Sequence, residues 1–231
     1  MPEMTFKTPD GEMGGYLALP ATTPAPAVLV IQEIFGVNAV MRAVCDDLAA
    51  QGYVAACPDL FWRMEPGVQI TDKTEAEWAK AFDFFGRFDV DKGVEDLKTA
   101  LETLRQHPAA NGRVGTVGYC LGGKLAYLMG TRSDADCNIG YYGVQIDQAL
   151  DEASKISKPV LLHVAEKDEF VPPEAQAAMK AGLGDLPTVT LEVYPGCDHA
   201  FARPGGAHFD AAAAKLANDR SAAFFKHHLG A

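Results

Sequence analysis

The segment GTVGYCLGGKLAY, Gly115 to Tyr127, constrains the fold more than any other stretch of the chain. An apolar run ending at Gly118 reads as a buried strand, and a helical pattern starts by Leu121, so the chain reverses within Tyr119 and Cys120 alone. A reversal that sharp crowds the backbone and demands small residues on both sides of its centre. Gly118 and Gly122 supply them. The central side chain, Cys120, is then held out over the sheet at the start of a helix. The N–H groups and positive dipole end of that helix favour a thiolate and can hold an oxyanion.

Strand and helix patterns alternate along the rest of the chain. MTFKTPDGEMGGYLALP alternates apolar and polar residues about an Asp-Gly turn, the pattern of an antiparallel hairpin at a sheet edge. APAVLVIQE is a continuous apolar run of the kind buried on both faces, AVMRAVCDDLAAQG has helical spacing that stops at Gly52, and YVAACPDL is the next strand. DKGVEDLKTALETLRQHP is a helix ended by Pro108. GRVGTVGYC, CNIGYYG, PVLLHVAEKD and TVTLEVYPG supply further strands, and a last amphipathic helix runs from about Asp210 to His227. Such alternation calls for a mostly parallel central sheet with helices on both faces. From Phe61 to about Phe88 the chain is irregular around Pro66 and Gly67 and then briefly helical in TEAEWAKAFDFFGRF, as a lid would be. No repeat, low-complexity tract or linker divides residues 1–231, which read as one domain.

Composition narrows the function. At 231 residues the chain is long enough for a two-sided core without disulfides or a structural metal. The formal net charge of −11 works against nucleic acid or an anionic membrane and leaves a small molecule as the expected partner. The N-terminal stretch is too polar for a signal peptide, and no run of about 18 apolar residues exists to span a bilayer. The five cysteines are odd in number and lack a C-x-x-C pair or zinc spacing, which points to reduced thiols and the cytoplasm. The C-x-H of Cys197 and His199 is not a metal-site pattern, and neither metal nor cofactor is expected. The helix faces are polar enough for a monomer.

In such a sheet ligands sit beyond the carboxyl ends of the strands. Gly118-Tyr119-Cys120-Leu121-Gly122 matches the G-x-S-x-G nucleophile elbow with cysteine in place of serine. A nucleophilic thiol there needs a histidine to move protons and a carboxylate to orient it, in the chain order nucleophile, acid, histidine. Asp168 in LLHVAEKDEFVPP is the candidate acid, with Glu166 and Glu169 as rivals and a turn or cap role as the plain alternative. His199 in LEVYPGCDHAFARPG is the candidate base, against His163, His208, His227 and His228, while Asp198 reads as a local turn residue. The competing class is a catalytically silent fold that binds a ligand or senses oxidants through Cys120.

QEIFGVN at Gln32 to Asn38, CPDLF at Cys57 to Phe61, VGYCLGG at Val117 to Gly123, GYYGV at Gly140 to Val144, KDEFVP at Lys167 to Pro172 and HAFAR at His199 to Arg203 together resemble the blocks of the dienelactone hydrolase family of the α/β-hydrolase fold. The resemblance covers nearly the whole chain. It implies a carboxylic ester hydrolase acting on a small ester or enol-lactone, with Cys120 as nucleophile, His199 as base and Asp168 as orienting acid. Glu33 resembles the family carboxylate that takes up the thiol proton, and Arg203 the arginine that binds the substrate carboxylate, with a surface ion pair to Asp or Glu as its plain alternative. Ile34 and Leu121 supply oxyanion-hole amides in this reading, and Tyr141 at a strand end borders the pocket or packs in the core. Trp78 and Phe82 stand where the family has a lid arginine and tyrosine, so a smaller or less anionic acyl group is expected; a packing stripe at this spacing would look the same.

Overall fold

The N-terminal Asp-Gly turn folds as a hairpin, with β1 (Glu3–Thr8) and β2 (Gly11–Ala18) paired antiparallel, in a computed structural model that describes residues 3–230. The chain falls into two units that divide between Val114 and Gly115. In the first unit β3 (Ala25–Ile31) lies parallel to β4 (Val54–Pro58), and β2 pairs antiparallel with the other edge of β4. Every residue of β3 and β4 is buried, as a parallel pair covered on both faces requires. Helix α1 (Ala39–Ala50) starts where the Asn38 side chain accepts the N–H groups of Val40 and Met41 at 3.1 and 3.2 Å. Gly52, at φ 99°, turns the chain into β4.

The stretch expected as a lid contains α2 (Glu75–Arg87), capped by Thr74, whose Oγ1 accepts from Glu77 N–H at 3.2 Å. The loop before it is pinned to its own unit. Phe61 stacks on Phe84 with ring centroids 4.9 Å apart and meets Phe88 edge-on at 5.9 Å. Trp62 Nε1 donates at 3.0 Å to Asp96 on α3 (Val90–Arg105), and Arg63 grips the same carboxylate through both amino groups while reaching Asp10 at 2.8 Å. Helix α3 stops at Arg105, short of the expected Pro108, because the residue before a proline is driven out of the α region.

Strand β5 (Ala110–Tyr119) carries the chain into the second unit, where β5, β6 (Asn138–Tyr141), β7 (Val160–Ala165) and β8 (Val189–Tyr194) are parallel neighbours in that order. Between and after them come α4 (Leu121–Arg132), a 3₁₀ stretch over Ile146–Lys155, α5 (Pro173–Leu183) and α6 (Ala211–Leu229). Helix α6 outruns its expected end at His227, because Leu229 is fully buried and Gly230, at φ 72°, closes the helix. Among the described residues parallel pairings dominate the eight strands and helices alternate with them, so the fold class is α/β. No helix among the described residues is long and apolar enough to cross a membrane.

Asp96, 2% exposed, is the shared acceptor of Trp62 and Arg63. Its truncation in Asp96→Ala strands both donors and is expected to lower stability by about 2–4 kcal/mol. A lowered urea midpoint with an unchanged slope is the expected readout, and an unaltered midpoint would contradict the anchoring role.

Candidate active site

The elbow is built as the glycines require. Cys120 occupies φ 56°, ψ −114°, a left-handed conformation that costs a non-glycine residue of order 1–3 kcal/mol and persists only where the surroundings hold it. Four backbone hydrogen bonds do so. Cys120 N–H donates to Tyr141 O at 3.0 Å, and Cys120 O accepts from Gly123, Lys124 and Val144 N–H at 2.9, 3.2 and 3.4 Å. A Cβ on Gly118 would land on the Gly122 carbonyl, so β5 and α4 meet only because that side chain is absent. Gly123 is just as constrained, since its Cβ would lie 2.6 Å from Tyr141 O and 2.7 Å from Gly143 Cα. With Gly123 and Lys124 bonded to Cys120 O, the amides of Leu121 and Gly122 are the remaining first-turn donors of α4.

The loop after β7 carries Asp168 and the loop after β8 carries His199, and the fold brings both to Cys120. Asp168 Oδ2 accepts from His199 Nδ1 at 2.8 Å, while its Oδ1 accepts from Phe170 N–H at 2.9 Å. Asp168 therefore makes the turn contact and also meets the imidazole, the two roles that the sequence left as alternatives. Helix α5 is instead entered at Pro172, without a side-chain cap. The imidazole also hydrogen-bonds the Cys120 sulfur. All three side chains are buried: Cys120 is 9%, Asp168 3% and His199 6% exposed.

Burial works to lower the His199 pKa, but the charge of the Cys120 sulfur, the hydrogen bonds with Asp168 and Cys120, and the Asp168 charge outweigh it and push the group up to about 10. The site thus favours the imidazolium form of His199. Two aromatic rings that sequence reasoning passed over set the imidazole's plane. Tyr142, at φ 37°, meets it edge-on at 5.2 Å and Phe170 at 4.8 Å. Both lie in quoted blocks, but an aromatic residue at a strand end reads equally well as core.

The rival groups have other partners. Glu166 accepts from Gly196 N–H at 2.7 Å, Glu169 is exposed, and Asp198 accepts from the His199 backbone N–H at 2.7 Å. His208 is exposed, 3.9 Å from Asp198, and His227 and His228 lie in the last turn of α6. His163 is 1% exposed, and burial, helped by Arg220, pushes it down to about 3, so it stays neutral. Of the two places open to Tyr141, pocket wall and core, it takes the core. It is 1% exposed, and its hydroxyl bonds Asn218 and Ser221 of α6, which makes it a core residue.

Arg203 is partly exposed in a turn, its N–H donating to Ala200 O at 2.9 Å. Glu33 and Ile34, 2% and 5% exposed, follow β3 in the first unit. Trp78 and Phe82 lie on α2, stacked at 5.4 Å, with Trp78 edge-on to Phe35 at 5.1 Å and Phe82 46% exposed. Among the described residues no cluster of three or more His, Cys, Asp or Glu could hold a metal ion.

The two buried histidines titrate in opposite directions, and the sign of each linkage follows. His199, raised in the fold, contributes stability fully below about pH 6.5 that is lost as pH rises toward about 10. His163, lowered in the fold, contributes stability above about pH 6.5 that is lost as pH falls toward about 3. Melting temperatures across pH should therefore fall less on the alkaline side in His199→Asn, and less on the acid side in His163→Gln, than in the wild type. Parallel curves would refute these assignments.

Known proteins share this architecture. The model of the dienelactone hydrolase family matches residues 13–229. A protein of Azospirillum brasilense is 54% identical over 225 residues, 96% of each chain. The carboxymethylenebutenolidase of Pseudomonas putida is 38% identical over 218 residues, covering 94% of this chain and 92% of its own. A crystal structure from Klebsiella pneumoniae aligns over 96% of both chains with a TM-score of 0.87 at 25% identity. A sequence match that spans both units, carried on an elbow with cysteine at its apex, establishes that the chain belongs to the dienelactone hydrolase family, a family of carboxylic ester hydrolases.

Proposed function

We propose that the protein hydrolyses small esters or enol-lactones, on the pattern of a dienelactone opened to maleylacetate, through a thioester formed on Cys120. The observation that carries this reading is the buried hydrogen-bonded series Asp168, His199, Cys120 beyond the ends of β7, β8 and β5. The relatives named carboxymethylenebutenolidase support a lactone as substrate. The five free cysteines, all buried, support a reducing compartment such as the cytoplasm, and the unbroken family match supports a single domain.

In this mechanism Glu33 takes the thiol proton as Arg203 engages the substrate carboxylate, and the Cys120 thiolate adds to the carbonyl carbon. The Leu121 and Ile34 amides stabilise the oxyanion. The tetrahedral adduct collapses, the C–O bond breaks, and the leaving enolate takes a proton from the His199 imidazolium. Neutral His199 then removes a proton from water as it adds to the thioester, with Asp168 holding the ring, the thiolate departs as the acid forms, and Glu33 returns its proton to Cys120. A thioester is readily attacked by water and an enolate leaves easily, so the modest basicity of sulfur suffices. The stacked Trp78 and Phe82 add apolar area at α2 and favour an acyl group with little negative charge.

Steady-state hydrolysis of a dienelactone and of a small activated ester tests the reading. Cys120→Ala should abolish turnover, and Asp168→Asn should lower kcat by about 10²- to 10⁴-fold. Glu33→Gln should leave binding intact and slow single-turnover acylation; unchanged acylation removes Glu33 from the mechanism. Turnover of the ester alone would keep the nucleophile and change the substrate, whereas equal inertness of wild type and Cys120→Ala would favour a ligand-binding or thiol-sensing role.

A further inference from the structure

Beneath the loops of the second unit runs a buried polar chain that the proposed chemistry does not use. Tyr141 Oη lies 2.9 Å from Asn218 Oδ1 and 2.6 Å from Ser221 Oγ. Ser221 Oγ lies 2.9 Å from His163 Nε2, and His163 Nδ1 lies 2.8 Å from Tyr194 Oη. Arg220 donates to Tyr194 Oη at 3.2 Å and pairs with Glu192 at 3.1 Å. Tyr141, His163, Tyr194 and Ser221 are 1%, 1%, 2% and 7% exposed.

The donors order themselves from the two ends. Arg220 can only donate, so Tyr194 accepts from it and gives its own proton to His163 Nδ1. His163 therefore carries its proton on Nε2 and donates to Ser221, which donates to Tyr141, which donates to Asn218 Oδ1. Every member is satisfied with His163 neutral. A buried network so completed rigidifies what it joins.

What it joins is the triad's backbone. Tyr141 and Tyr194 end β6 and β8, His163 lies within β7 opposite Tyr141, and the carbonyl of each holds a piece of the site. Tyr141 O accepts Cys120 N–H at 3.0 Å, and His163 O accepts the N–H of Tyr142, whose ring meets His199, at 2.8 Å. Tyr194 O accepts the N–H groups of Glu166 at 3.2 Å and Cys197 at 3.3 Å, at the roots of the acid and histidine loops. Ser221 is the point on α6 where two of these strands' side chains meet.

We propose that the Tyr141–Ser221–His163–Tyr194 chain is a positioning device, hinged on Ser221, that holds the nucleophile, acid and base loops in mutual register. The proposal rests on the triad reading above for its activity readout. Ser221→Ala removes the hub hydroxyl, and Tyr194→Phe removes one donor while keeping the ring on Phe201, 4.7 Å away. Phe225→Leu, on the buried face of the same helix but outside the chain, is the comparison for stability loss alone.

Small displacements of a triad reduce turnover more than binding. Both relay variants should therefore lower kcat on the activated ester by about 10- to 100-fold with KM within about twofold, while Phe225→Leu at a matched melting temperature changes neither. A second readout needs no substrate. The NMR titration midpoint of the His199 imidazole, pushed up to about 10 in the wild type, should fall by about one pH unit in the relay variants and stay put in Phe225→Leu. Relay variants that match Phe225→Leu in either readout overturn the proposal. An inactive wild type would sink the hydrolase reading alone and leave the titration to decide, and Tyr194→Phe decides should Ser221→Ala not fold.

Discussion

The absence of a side chain on Gly118 is the constraint on which the site depends. Only a bare α-carbon lets the Gly122 carbonyl approach β5 closely enough for the strand to turn at once into α4. The same approach forces Cys120 into positive φ. Gly123 extends the demand across the sheet, because its α-carbon lies against the backbone of Tyr141 and Gly143. The strain at Cys120 is held by Tyr141, Gly123, Lys124 and Val144 through backbone bonds, so elbow and neighbouring strand end form one rigid unit. Precision at the elbow is a property of packed backbone here more than of the cysteine.

Environment, not residue type, divides the histidines. His163 and His199 are both buried, yet one is held neutral and the other is favoured as a cation. His163 faces tyrosine and serine hydroxyls with Arg220 nearby, an environment in which a proton gains nothing. His199 faces Asp168 and the Cys120 sulfur, and these outweigh the same burial cost. The buried neutral imidazole suits a fixed hydrogen-bonded chain, and the one favoured as a cation suits the proton transfer proposed for it.

Much of this was legible in the residues. The α/β alternation, the hairpin, α4 and the elbow follow from periodicity and glycine placement, because those patterns report local geometry. The order Cys120, Asp168, His199 narrowed the candidates, and the 2.8 Å contact is what favours Asp168 over Glu166 and His199 over His163 in the proposed triad. The relay through Ser221 was invisible, since its members are scattered over three strands and a distant helix and each reads singly as an ordinary core or surface residue. Tyr141 shows the same limit: a tyrosine at a strand end can face a pocket or a helix, and here α6 claims its hydroxyl. The ends of α3 and α6 moved because proline acts before its own position and because the burial of Leu229 draws the helix on.

The covalent step is the centre of the account. Rapid acid quench of the wild-type enzyme during turnover of a small activated ester, followed by intact-mass and peptide mass spectrometry, reads it directly. The account predicts a transient adduct of the acyl mass on the peptide that contains Cys120. Steady turnover with no adduct on Cys120, or with the acyl group on another residue, would contradict it.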